Sequence, residues 1–345
     1  MNELQLSATN IRKFTVGIGP FFLIFMAVMA VTPLIGPTSI DLGKALSGGF
    51  NATDNVDANI LFLARIPRIL LGAVTGAALS VTGAVFQALL RNDLAAPFTL
   101  GVSSGASLGA VIAISLNLNF AILGISILSL AAFAGALGTM YLVFSLVRTR
   151  YGDFPTSVLL LAGVTANFFF ASMVMFIHYM SDFTQSFQIV RWLMGGLDIT
   201  DYQTVWSICP FVIVGIGGLI YLSRDLNLIS AGVQSAMSRG VDVVRTQKIG
   251  FVLGSLITGT VVAISGPIGF VGLIVPHIVR LIIGPDLRLL IPGSMFFGAS
   301  FLILCDTVGR TLIAPAEIPV GVITAMLGGP FFIWLLKRQQ KRGAL

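Results

Sequence analysis

The chain has 345 residues, of which 56% are hydrophobic and only 10% charged, and its mean hydropathy is +0.97. A water-soluble domain carries about 25% charged residues, so this composition excludes a soluble globular protein. One core could not hide so much apolar surface from water, whereas lipid accepts it.

A helix needs about 20 apolar residues to cross the hydrocarbon of a bilayer. Taken in chain order, such runs predict spans at Phe14–Ile35, Ile69–Leu90, Phe98–Leu116, Ala121–Val147, Ser157–Tyr179 and Tyr202–Leu222. Four more follow at Ile249–Ser265, Val271–Ile283, Leu289–Val308 and Val320–Leu336. The expected architecture is all-α and polytopic, with about ten transmembrane helices in a single membrane domain over residues 1–345. Arg12 and Lys13 precede the first run, which is long enough to span and lacks an A-x-A-like cleavage site, so it reads as a retained span. The 38 glycines suit close helix packing in lipid.

Lys and Arg set the orientation. With the N-terminus inside, the inner segments hold fifteen basic residues and the outer ones five: Lys44, Arg65, Arg68, Arg191 and Arg310. Both termini are therefore expected in the cytoplasm, and Arg65 and Arg68 lie outside, against the prevailing bias. The net charge of +6 thus describes membrane orientation rather than a nucleic-acid partner. The long inner loop, Ser223–Lys248, is too polar to span and shows helical patterning over Leu226–Met237 that ends near Gly240. TGAALSVTG (Thr75–Gly83) and TGTVVAISG (Thr258–Gly266) form a short repeat in the second and seventh spans. An odd number of crossings separates them, so the copies run in opposite directions, an arrangement common in transporters.

No enzyme site is legible. GSLITGT, Gly254–Thr260, has the glycine spacing of a phosphate loop but lacks its lysine and lies within a span. No cofactor and no metal site are expected: His178 and His277 are far apart without acidic neighbours, and Cys209 and Cys305 read as buried apolar residues. The spans hold almost no ionisable groups of the kind that ion-coupled carriers bury, which points to an ATPase on another chain. Asp306 and Arg310 are one turn apart, where pairing is the ordinary expectation. Arg65 and Arg68, three apart with Pro67 suited to a first helical turn, either snorkel to headgroups or form a docking patch for an acidic partner.

RIPRILLGAVTGAALSVTGAVFQALLRNDLAAPFTLGVSSGASLGA, Arg65–Ala110, resembles the permeases of bacterial ABC importers for iron-siderophores, haem and cobalamin. TSVLLLAG (Thr156–Gly163), RWLMGGL (Arg191–Leu197), SGPIGFVGLIVPHIVRLIIGPDLR (Ser265–Arg288) and AEIPVGVITAMLGGPFFIWLL (Ala316–Leu336) extend the resemblance over most of the chain. It implies a type II importer permease in the bacterial inner membrane, paired with a second permease copy, identical or homologous. Two ATPase subunits would bind inside and a periplasmic or lipid-anchored substrate-binding protein outside. Arg65, Arg68 and Arg310 match positions that dock the binding protein. Residues 223–248 match the coupling segment, with Leu226, Ala231, Gly232, Ser235, Ala236 and Gly240 permitting close packing against the ATPase. Asn92 and Leu94, with Thr156 and Ser157, match the cytoplasmic gate, although Asp93 stands where proline is usual. Phe169, Met173, Met175, Phe176 and Met326 lie on the two helices that line the pathway in this family. A ferric siderophore is the expected cargo, with haem and cobalamin as alternatives.

Overall fold

A chain in lipid must satisfy its backbone hydrogen bonds internally, so each apolar run forms a helix. The computed structural model describes residues 3–47, 55–118, 120–122, 125–147, 156–198 and 201–343. It opens with α1 (Glu3–Val31), a 3-10 turn (Thr32–Leu34), α2 (Leu42–Ser47) and α3 (Val56–Asn59). A π-helical stretch, Ile60–Arg65, leads without a break into α4 (Ile66–Leu90). Next come α5 (Val102–Ser115), a two-stranded hairpin of β1 (Ala121–Ile122) and β2 (Ile125–Ser126), α6 (Ile127–Val147), α7 (Thr156–Met180), α8 (Phe183–Leu193) and α9 (Tyr202–Tyr221). The remainder is α10 (Ser223–Ala231), α11 (Val233–Ser238), α12 (Val243–Ser265), α13 (Val271–Ile283), α14 (Leu287–Thr311) and α15 (Val320–Gly343). Ten of these helices coincide with the ten predicted runs. Seven are long and apolar enough to cross a membrane by themselves, while α5, α13 and the apolar part of α15 are shorter. Arg148 and Arg150, and Asp54 ahead of α3, lie outside the described residues.

Helix α4 is the centre of the bundle. Of its most apolar window 83% is buried inside the chain, against 11% for α1 and 22% for α7. It packs on α14, α12 and α13, and small residues make that possible. A Cβ on Gly83 would lie 1.9 Å from the Gly272 carbonyl oxygen of α13, and one on Gly76 would lie 2.3 Å from that of Gly298 on α14. Only glycine allows backbones to approach so closely. Ser80 then donates to the Ser294 carbonyl at 2.7 Å, joining α4 to α14 through a buried bond, a contact worth on the order of 1 kcal/mol in a membrane bundle. Phe86, Phe251 and Phe144 fill the space between α4, α12 and α6, with ring centroids 5.3 and 6.0 Å apart.

Three local expectations are corrected. Helical structure reaches the second span from Val56, not Ile69, so Arg65 and Arg68 lie within a continuous helical run rather than at its mouth. Pro67 lacks the N–H that an α-helix needs, and the chain passes it immediately after a π-helical stretch. The fourth span begins at Ile127, because its first residues pair as the hairpin Ala121↔Ser126 and Ile122↔Ile125. The helix expected over Leu226–Met237 is broken in two: Gly232 takes φ 147°, a conformation open to glycine but not to residues with a side chain.

Candidate functional site

The three outward arginines of the sequence reading are brought together at the α3 end of the bundle. Arg65, Arg68 and Arg310 line one cavity of about 400 Å³ together with Asp198 and Glu317. They are engaged by their own chain instead of forming an open basic patch. Arg65 is 3% exposed and donates to the carbonyls of Pro33, at 2.8 Å, and Thr38. Arg68 reaches across to α14 and grips the Asp306 carboxylate with two nitrogens, at 3.0 and 2.9 Å. Its remaining nitrogen meets Glu317 at 2.7 Å and Asp198 at 3.1 Å. Arg310, also 3% exposed, donates to Asp306 at 3.0 Å and to the Thr307 hydroxyl at 3.3 Å.

The Asp306–Arg310 pair was legible as a one-turn spacing. The Arg68–Asp306 bond, between residues 238 apart, carried no local signal. Chemically this is a guanidinium–carboxylate network in which Arg68, Arg310 and Arg191 meet Asp306, Glu317 and Asp198, while Arg65 stands beside it on backbone carbonyls. Asp306 has its lone pairs filled from two sides, which is what makes a buried carboxylate tolerable. Asp198 and Glu317 keep side-chain exposures of 47% and 42%, and the still more exposed Arg191 pairs with Asp198 at 3.3 Å, so the face of the cluster turned to solvent carries both signs.

At the opposite, α10 end lies the segment 223–248, which the resemblance assigns to coupling. Leu226 and Ala236 are fully buried, so they anchor α10 and α11 to the chain's own bundle rather than presenting themselves to a partner. Ala231, Ser235 and Gly240 are exposed, and Gly232 forms the break between the helices. Asn227, beside Leu226, bonds to the start of α14: its Nδ2 donates to Asp286 at 2.7 Å, and its Oδ1 accepts from the Leu287 N–H at 2.8 Å. Hydrogen bonds from the Arg288 side chain hold the Asp286 carboxyl below the usual carboxylate range, and the Asn227 amide adds to this.

The expected gate residues lie in the turn after α4 and at the start of α7. After α4, Arg91 turns the chain with φ 47°, and the Asn92 Oδ1 accepts from the Leu94 N–H at 2.9 Å, an Asx-turn. Leu94 is 53% exposed. Asp93, in the usual proline position, pairs with Arg280 of α13, whose other arm reaches the Gln87 Oε1 at 2.7 Å. An ion pair to α13 thus ties down a turn that lacks the rigidity of proline. Thr156 and Ser157 open α7, with Ser157 exposed. Backbone contact links the two regions: a Cβ on Gly163 of α7 would lie 2.8 Å from the Leu100 Cα.

Between them runs an apolar wall. A cavity of about 560 Å³ is lined by Phe98, Ser104, Asn167, Met175, His178 and Phe270, among others, and Ser104 donates to Asn167 across it. Phe169, Met173, Phe176 and Met326 are exposed on α7 and α15. His277 is 8% exposed and sits edge-on to Phe331 with ring centroids 6.0 Å apart.

Known proteins resemble this chain over most of its length. The model of the FecCD transport family matches residues 22–338. The cobalamin import system permease protein BtuC of Halobacterium salinarum is 42% identical over 278 residues, covering 81% of this chain and 73% of that protein. The hemin transport system permease protein HmuU of Yersinia pestis is 38% identical over 333 residues, covering 93% and 96%. Among solved structures, an inward-facing ABC transporter assigned to the metal-chelate type superposes with a TM-score of 0.79 at 31% identity, covering 94% of this chain and 99% of its own. The chain belongs to the FecCD transport family of ABC importer permeases.

Proposed function

We propose that residues 1–345 act as one permease subunit that carries a metal chelate across the bacterial inner membrane, with both termini in the cytoplasm. Two ATPase subunits engage residues 223–248 from inside, a substrate-binding protein docks outside, and a second permease copy completes the pathway between α7 and α15. The observation that supports this most strongly is the family match over residues 22–338. The placement of the segments agrees with it, since the arginine cluster and the coupling segment lie at opposite ends of the same bundle.

The mechanism follows from that geometry. ATP binding closes the ATPase dimer, α10 and α11 move with it, and the bundles rock so that the turn at Asn92–Leu94 and the start of α7 at Thr156–Ser157 part or close. The permease supplies gating and geometry while the chemistry stays on the partner. Outside, acidic groups on the binding protein compete with the exposed Asp198 and Glu317 for Arg68, while the buried Arg65 and Arg310 hold the helices beneath it in place. Charge pairs of this kind orient a partner more than they tighten it, which suits repeated docking and release.

Two cargo readings have support. The stretch LAAPFTLGVSSGASLGA favours a ferric siderophore. The relatives named for cobalamin and hemin, at 42% and 38% identity, favour a metal tetrapyrrole or corrin. Reconstitution in proteoliposomes with the cognate ATPase and binding protein separates them, because only the true cargo accumulates on adding ATP. The permease without its ATPase should transport nothing, with ATP or under a proton or sodium gradient. Transport by the lone chain under either gradient overturns the proposal.

A further inference from the structure

The apolar contacts that seat α10 do not by themselves give it a fixed position. Leu226 and Ile229 are fully buried and α10 continues directly from α9 through Leu222, but hydrophobic contact is non-directional, so it leaves the helix without a directed bond to α14. Asn227, between them in sequence, supplies direction. Its carboxamide makes a reciprocal pair with the first residues of α14, donating to Asp286 at 2.7 Å and accepting from the Leu287 N–H at 2.8 Å. Both partners belong to the start of one helix. Asp286 is itself held in place: it caps the Arg288 N–H at 3.0 Å, and the Arg288 guanidinium grips it at 2.6 Å. One amide therefore fixes the coupling segment to α14 in both position and rotation.

Helix α14 continues the connection. Its 25 residues run about 37 Å at 1.5 Å per residue. Along that length it is joined to α4 by the Gly76–Gly298 approach and the Ser80–Ser294 bond. At its far end stand Asp306 and Arg310, with Arg68 of α4 bound to Asp306. A displacement of α10 that is passed to Asp286 and Leu287 therefore moves α14 and α4 together and reaches the arginine cluster at the opposite face.

We propose that Asn227 is the positioning residue through which movement of the coupling segment enters the bundle, by way of the start of α14. This rests on the reading of residues 223–248 as the ATPase-contacting segment. The test uses the assembled transporter in proteoliposomes, with permease, ATPase, binding protein and cargo, and reads uptake per ATP hydrolysed. That ratio does not move when a variant simply yields less folded permease. Asn227→Ala removes both bonds, and Asn227→Asp sets a carboxylate against Asp286. Each should still assemble with the ATPase and hydrolyse ATP, while uptake per ATP falls by at least about fivefold, the scale of a typical coupling free energy. Asn227→Asp combined with Asp286→Asn reverses donor and acceptor and should bring the ratio back to near the unmutated level.

An unchanged ratio in Asn227→Ala overturns the proposal, as does an exchange variant no better than Asn227→Asp. If Asn227→Ala does not fold, the comparison of Asn227→Asp with the exchange variant decides alone. Failure of the unmutated permease to bind any ATPase subunit is a separate result, and it overturns the functional reading instead.

Discussion

Replacing Asp306 by Asn tests whether the arginine cluster is held by a buried charge. The substitution keeps the side chain's size and removes its charge. Arg68 retains Glu317 and Asp198 at 2.7 and 3.1 Å, so most of the cost falls on Arg310. Among the described residues its only ion-pair partner is Asp306, and its side chain is 4% exposed. Removing one partner of a buried pair costs about 3–5 kcal/mol, because a charge is left uncompensated in a low-dielectric site. At roughly 2 °C per kcal/mol for a large chain, the melting temperature should fall by about 6–10 °C. Thermal unfolding of the purified permease in detergent, followed by tryptophan fluorescence, measures it. A second variant, Asp306→Asn with Arg310→Met, removes the uncompensated Arg310 charge while leaving Arg68 an amide oxygen at position 306, and should recover most of the loss. A shift of less than about 1 kcal/mol in the single variant, or a double variant as unstable as the single, would refute the argument.

The docking reading predicts that Asp198→Asn with Glu317→Gln strengthens binding-protein association at low salt, because Arg68 loses two internal competitors. The gain should shrink toward 1 M salt, where the screening length falls to about 3 Å; association that is unchanged or weaker at low salt counts against it. Asp93→Lys places a like charge against Arg280. The pair is half-exposed, so overall stability should change by no more than about 1 kcal/mol, while a cysteine at position 94, in a background lacking Cys209 and Cys305, should be alkylated faster. Equal alkylation rates with and without the substitution would mean that Asp93 does not hold the turn.

What the sequence determined by itself was the helical bundle, and the reason is local. An apolar run of spanning length has to become a helix in lipid whatever its neighbours do, so the ten runs and the polar loop at 223–248 were legible one at a time. The Asp306–Arg310 pair was legible too, because its partners are one turn apart on the same helix. Everything that joins one helix to another was decided by the tertiary structure. Arg68 finds Asp306 and Asp93 finds Arg280 where the glycines of α4 let α14 and α13 approach, Asn227 finds Asp286 where α10 lies against the start of α14, and no spacing along the chain encodes which helices will meet. The same packing turned an expected open basic patch into an internally bonded cluster, since guanidiniums enclosed by protein need acceptors: carboxylates for Arg68 and Arg310, backbone carbonyls for Arg65.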